Sequence, residues 1–358
     1  MQRERITSID ALRAVTLLGI IIVHTFNGFG LKYAHLPEGF DYYLSRFIDT
    51  FLVHKCNSIF SILFGVSFYL ILRNPANTTR KFIWRCFLLV LFGLFNKLFY
   101  TFDALMWYGI CGMCLASIRS FKTKYIFGVF LLLLFLSFFL KQFHLGNLLF
   151  GEVSFKRYGV DKQFLDIILY PYAVKDYLRL VFNGGIFGTL ALFTLGYWLA
   201  RKGFIENLER VVSKRVVIVF WSLYILSYCL IHTVGYLRIL VLFNNYMATF
   251  AYATVLIFVY YHSRHSRLFL EKLEPYGKLG LTNYSFQGIV GVILMGSFGL
   301  GLCQKSLSFA LLVFLSFYAL QAVFSYYWLS YFRYGPLEYA WRVLTERKLI
   351  DLRKKEFK

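Results

Sequence analysis

The chain has 358 residues, of which 59% are hydrophobic and 21% aromatic. A mean hydropathy of +0.60 gives it more apolar surface than one water-exposed domain could bury, which excludes an ordinary soluble enzyme. Lys and Arg outnumber Asp and Glu by 39 to 18, yet charged residues make up only 16% of the chain and gather in short basic segments between apolar runs. That is a membrane pattern and not a nucleic-acid-binding one.

Within a bilayer only a helix satisfies its own backbone, and about 20 apolar residues span the hydrocarbon. Ten stretches meet that description: Ala11 to Gly30, Cys56 to Leu72, Phe87 to Thr101, Ala104 to Ile118, Tyr125 to Leu140, Leu180 to Ala200, Val216 to Gly235, Ile239 to Tyr261, Leu279 to Cys303 and Leu307 to Phe332. The third and fourth are the shortest. With the N-terminus in the cytoplasm, 27 of the 39 Lys and Arg fall on the inner side, and reversing the orientation would invert the bias. The sequence therefore predicts an all-α polytopic membrane protein, a bundle of about ten transmembrane helices with both termini cytoplasmic.

No polar linker, low-complexity tract or fixed-period repeat divides the chain, so residues 1–358 read as one domain. The longest segment between spans, Lys141 to Arg179, is expected outside, either as a cap over the outer mouth or as an interfacial aromatic belt. The first span follows Arg3 and Arg5, but Phe26 to Phe29 offers no small-x-small cleavage site, so it is expected to stay attached. The six cysteines lie in or beside apolar helices and read as packing residues, and no metal is expected.

Ionisable groups inside a span are costly and mark function by default. The first span has the densest set. Arg13 and His24 are eleven positions apart, about three turns, so they share one face with roughly 16 Å between them along the axis. Asp10, Thr16 and Asn27 fall near the same stripe. A snorkelling anchor and a helix-packing histidine would explain each residue alone. Several on one face, ending at a side chain able to titrate near neutral pH, favour function. Asp49, His54 and Lys55 enter the second span, and Asp103 lies at the outer turn between the third and fourth. Asn283, Tyr284 and Gln287 lie in the ninth, with Asn283 and Gln287 on one helical face. Arg80, Lys81 and Arg85 form a basic run that suits either a phosphorylated ligand or a topological signal.

Four segments resemble a known family: ITSIDALRAVTLLGIIIVH from Ile6, FSILFGVSF from Phe60, LTNYSFQ from Leu281 and YGPLEYAWRVLT from Tyr334. Together they resemble the YeiB-like family of bacterial inner-membrane proteins, domain-of-unknown-function family 418, across essentially the whole chain. That family is similar to the larger transmembrane acyltransferase superfamily, including the acyltransferase-three and heparan glucosaminide acetyltransferase-like proteins. The resemblance implies a bundle of about ten core helices that carries an acyl group from cytoplasmic acyl-CoA to a glycan or other acceptor at the opposite face. The acyltransferase-three pattern has an arginine and a histidine with ten residues between them in the first helix, which Arg13 and His24 match. YeiB-like relatives usually carry asparagine where this chain has His24, and often histidine where it has Asn96.

On this reading Arg13, oriented by Asp10, would meet the phosphate or pantetheine part of acetyl-CoA, because a planar cationic fork suits anionic oxygens. His24 would act as general base on the acceptor, or would itself be acylated first. Lys55, Asp103, Asn283, Tyr284 and Gln287 are further candidates. The expected partners are the bilayer, an envelope glycan or small-molecule acceptor and, as an open case, a second copy in a homodimer. The alternative is a small-solute or ion transporter that uses the same polar stripe, although the sequence shows neither an inverted repeat nor matched helix breaks.

Overall fold

The computed structural model describes residues 7–28, 39–99, 103–150, 178–179, 181–295, 300–302 and 306–354. Helices dominate, and the one extended pairing among the described residues is an isolated bridge between Phe332 and Arg353. Each of the ten predicted spans coincides with a helix. In chain order these are α1 (Thr7–Gly28), α3 (Lys55–Leu72), α4 (Thr79–Lys97), α5 (Leu105–Ser117), α6 (Thr123–Phe143), α8 (Gly185–Arg201), α10 (Lys214–Val234), α11 (Arg238–His262), α13 (Gly280–Met295) and α14 (Leu307–Tyr331). The remaining helices are α2 (Phe40–Phe51), α7 (Leu145–Phe150), α9 (Leu208–Val211), α12 (Arg264–Lys278) and α15 (Pro336–Glu346).

Six segments among the described residues are long and apolar enough to cross a membrane: Thr7–Phe26, Phe40–Leu72, Thr123–Phe143, Lys214–Val234, Arg238–His262 and Leu307–Tyr331. The other four predicted spans fall short for identifiable reasons. Helix α4 carries Arg80, Lys81, Arg85 and Lys97, while α5, α8 and α13 have 13, 17 and 16 residues. All are less than the roughly 20 residues a perpendicular span requires.

Helix α1 sits at the centre, with 78% of its apolar window buried against 11% for α10. It packs on α3, α12 and α14. Helices α10 and α11 form a peripheral pair whose outward side chains, such as Ile218, Val219 and Leu226, are apolar, as a lipid-facing surface requires. Close backbone approach depends on glycine. A Cβ on Gly65 would lie 2.0 Å from the Phe193 carbonyl oxygen, and one on Gly196 would lie 2.1 Å from that of Ile62, so α3 and α8 touch along their backbones.

The sequence reading passed over three amphipathic helices. Helix α2 precedes α3, and its Asp41 accepts from the backbone N–H groups of Leu307 and Ser308, capping α14. Helix α12 was read as a basic loop. It contains Pro275 and ends at Lys278, and the single non-helical residue Leu279 separates it from α13. The ninth predicted span is therefore the second half of a broken element. Helix α15 begins with Pro336 at its first turn, a position where the missing N–H costs nothing. Most of the expected external cap, residues 151–177, lies outside the described residues, as does the side chain of Asn27.

Candidate functional site

A cavity of about 280 Å³ lies where α1, α3, α4, the α12–α13 break, the end of α14 and α15 meet. Asp10 and Arg13 line it from the first turns of α1. Arg13 donates from Nη1 to Asp10 Oδ1 and from Nη2 to Ser67 Oγ of α3, so its fork is fixed between two helices. Ser67 in turn donates to the Leu63 carbonyl. Asp10 is buried, while 18% of the Arg13 side chain stays exposed where it lines the cavity. Helix α12 holds this turn in place: a Cβ on Gly277 would lie 1.8 Å from the Asp10 carbonyl oxygen.

Arg85, Lys278, Arg333 and Arg342 add four more cations to the wall. Aromatic rings position two of them, with the Arg85 guanidinium 4.1 Å from the Trp341 ring centre and that of Arg342 4.4 Å from Tyr334. The cavity's two carboxylates are already engaged. Asp10 holds Arg13, and Glu338 accepts from the backbone N–H groups of Leu281 and Thr282 at 2.8 and 3.1 Å and from the Thr282 hydroxyl at 2.5 Å. The Leu337 N–H donates back to the Thr282 hydroxyl at 3.1 Å. The LTNY and GPLE segments, more than fifty residues apart, thus interlock at the start of α13. Burial pushes the Glu338 carboxyl above the usual carboxylate range, and its Thr282 and Leu281 donors pull it back. Lys278 is paired with Glu274 at 2.5 Å, and the remaining arginines favour an anionic guest.

His24 is buried in the last third of α1, and its ring meets Tyr284 edge-on with centroids 5.6 Å apart. Tyr284 itself lines the cavity, and its hydroxyl accepts from the Ala104 N–H at 3.1 Å. Arg13 and His24 are thereby linked to one cavity, Arg13 directly and His24 through Tyr284. Asp103 lies beside that contact. It accepts from Asn96 Nδ2 at 2.7 Å and from the Met106 N–H at 3.3 Å, so it caps α5.

The other candidates fall elsewhere. Lys55 donates to the Thr50 carbonyl and closes the turn between α2 and α3. Asn283 donates to the Tyr276 carbonyl and to Ser325, and Gln287 donates to the Tyr276 hydroxyl. Tyr276 and Gln321 complete that buried network among α12, α13 and α14, a helix-joining role. Lys81 pairs with Glu346 at 2.6 Å and ties α15 to α4.

A second cavity, of about 710 Å³, opens at the other end of α3, among the starts of α5, α8 and α11 and the end of α6. The sequence reading missed it, although Lys141 at the end of an apolar run and the glycines from Gly184 to Gly188 were its visible traces. The two cavities nearly meet. Phe60 and Leu105 line the first, while their neighbours Ser61 and Ala104 line the second. An aromatic partition stands between them, with Tyr108 against Phe64 at 4.9 Å and against Phe60 at 6.1 Å between ring centroids.

Over nearly its whole length the chain is similar to two uncharacterized proteins. The "Uncharacterized 39.9 kDa protein in amylase 3'region" of Bacillus acidopullulyticus is 28% identical over 99% of this chain and 97% of its own. The "Uncharacterized protein YxaH" of Bacillus subtilis (strain 168) is 26% identical over 96% and 95%. No solved structure matches. Residues 198–348, which hold α10 to α15 with both interlocked segments, match the family described as "Protein of unknown function (DUF418)".

Proposed function

We propose that this protein is a membrane-embedded acyltransferase that takes an acyl group, in the simplest case acetyl, from cytoplasmic acyl-CoA and delivers it to a glycan or other hydroxylated acceptor at the far side of a bacterial inner membrane. With ten spans and both termini in the cytoplasm, the orientation the positive-charge bias favours, the cation-lined cavity would be on the donor side. The observation that carries the reading is Arg13: a fork held by Asp10 and Ser67, facing a cavity with four further cations. About 280 Å³ is just below the roughly 300–1,000 Å³ typical of small-ligand pockets, which suits a slender pantetheine arm better than a whole nucleotide.

In this mechanism the cations hold phosphate oxygens, and the arm runs along α1 towards Tyr284. The acceptor oxygen attacks the thioester carbonyl, the C–S bond breaks and the thiol leaves. His24 takes the acceptor proton and returns it to the thiolate. For that, a base must come within roughly 2.6–3.2 Å of the hydroxyl, so the Tyr284 ring moves aside when substrate enters. The transporter reading gains support from the break at Leu279 and from two cavities on either side of a thin partition.

Acetyl-CoA titrated calorimetrically into purified chain in nanodiscs tests the proposal. Wild type should bind and consume it in the presence of an acceptor. Arg13→Ala should weaken binding about tenfold or more, with Arg13→Lys in between because the fork is lost. His24→Asn should bind normally and turn over about 10²-fold more slowly. Acceptor-independent solute flux with no acetyl-CoA binding would transfer the assignment to transport.

A further inference from the structure

The larger cavity takes no part in holding the acyl donor, and its walls have a chemistry of their own. Lys141 and Arg238 supply positive charge, and no carboxylate stands among the described residues that line it. The cation of Lys141 has a specific setting. A Cβ on Gly188 would lie 2.9 Å from Ser137 Oγ, 2.9 Å from the Tyr246 hydroxyl and 3.7 Å from Lys141 Nζ. Because residue 188 is glycine, these three polar atoms surround a recess that any side chain would fill. Ser137 donates to the Gly184 carbonyl at 2.8 Å and is also hydrogen-bonded to the Tyr246 hydroxyl, which leaves the Lys141 ammonium as the group that meets a guest's charge, with Tyr246 beside it.

The amide lining is equally built. Asn183 Nδ2 donates to Asn147 Oδ1 at 2.9 Å, and the Asn147 N–H donates to Asn183 Oδ1 at 3.3 Å, so each holds the other in place. An asparagine amide presents both donors and acceptors and suits hydroxyl groups, which need both. Trp107, whose ring has Lys97 Nζ 5.6 Å from its centre, adds an aromatic side chain to the same cavity. A carboxylate for Lys141 and Tyr246, several hydroxyls for the amides and a weakly polar ring face for Trp107 together describe one kind of molecule.

We propose that this cavity is a binding site for a carboxylate-bearing saccharide. As a ligand site the proposal stands on the cavity alone. As the acceptor pocket it rests on the acyl-transfer reading, with the sugar hydroxyl presented to the partition at Tyr108, whose own hydroxyl lies 3.3 Å from Ser61 Oγ.

The test uses full-length chain in phosphatidylcholine nanodiscs without any acyl-CoA, so that failure of the donor site cannot affect it. The probes are a trigalacturonate and its fully methyl-esterified counterpart, which has the same sugar hydroxyls but no charge and one more methyl at each carboxyl. Calorimetry should show binding of the acid and about tenfold or weaker binding of the ester. Lys141→Gln should lose about tenfold or more in affinity for the acid, Lys141→Arg should retain most of it, and Gly188→Ala should weaken both probes by filling the recess. Thermal unfolding of each variant shows that it is folded. Equal affinity for acid and ester, or unchanged affinity in folded Lys141→Gln, would overturn the proposal. So would loss of saccharide binding when phosphatidylglycerol is added to the disc, which would assign the recess to an anionic lipid headgroup. Saccharide binding without acetyl-CoA binding would retain this site and remove the acyltransferase.

Discussion

Asp10 and Arg13 show what a helix period makes visible: three residues apart on one strand of sequence, they meet as an ion pair beside a cavity. Ser67, the second partner of Arg13, comes from another helix, and no spacing rule points to it. Tyr284 was legible as a polar intrusion in an apolar run, but its role as the ring between His24 and the cavity needed three helices in place. Asn283 and Gln287 share a face as expected, and that face looks into a closed network rather than a cavity. Asp103 supports a pH prediction. It lies in the turn between α4 and α5, where burial pushes its carboxyl from 3.8 up to about 6, opposed by its bonds to Asn96 and Met106 and by Lys97. A folded-state value above the unfolded one favours the protonated form. The contribution to stability is therefore complete below 3.8 and is lost as the pH rises through about 6. The thermal midpoint of wild type should fall across that window relative to Asp103→Asn, and parallel pH profiles for the two would refute the assignment.

At the scale of elements, α15 is fastened by few groups. Glu338 closes on the first N–H groups of α13, the Lys81–Glu346 pair reaches α4, and Trp341 Nε1 donates to the Arg85 carbonyl at 2.9 Å. Glu338→Ala would strand two backbone donors at a buried helix start, each costing about 1–3 kcal/mol, and would free the wall that carries Arg342. The expected result is a lowered thermal midpoint together with weakened acetyl-CoA binding, whereas Lys81→Ala, which removes a partly exposed pair, should change either by little. Equal effects from the two substitutions would refute the latch. The apolar helices were readable because a bilayer imposes one solution on an apolar run, although only six segments among the described residues are long and apolar enough to cross. Helices α2, α12 and α15 were not, since charges interrupt their apolar faces and a window tuned to long apolar spans reads them as loops. Gly277 and Gly65 were ordinary residues in sequence, and only the approach of a second backbone, at Asp10 and at Phe193, makes each one necessary.

For the whole molecule, the arrangement of the two cavities has functional meaning only with a direction across the membrane. The cation-lined cavity is at the end that carries α15 and the first turns of α1, and the larger cavity is at the end of the α10–α11 turn. The topology expected from the sequence assigns 27 of 39 Lys and Arg to inner segments, because such residues resist translocation. The expectation is that Leu349, 86% exposed after α15, faces the cytoplasm, and that Tyr236, 77% exposed between α10 and α11, faces outward. Single cysteines at these positions, on a background with the six native cysteines replaced, separate the possibilities. Tyr236→Cys should react with a membrane-impermeant thiol reagent in intact cells, and Leu349→Cys should react only after permeabilisation. The reverse pattern would place the Arg13 cavity on the outer side, beyond the reach of cytoplasmic acyl-CoA. It would leave the carboxylate-binding test of the Lys141 cavity intact while removing the acyl-transfer direction proposed for the molecule.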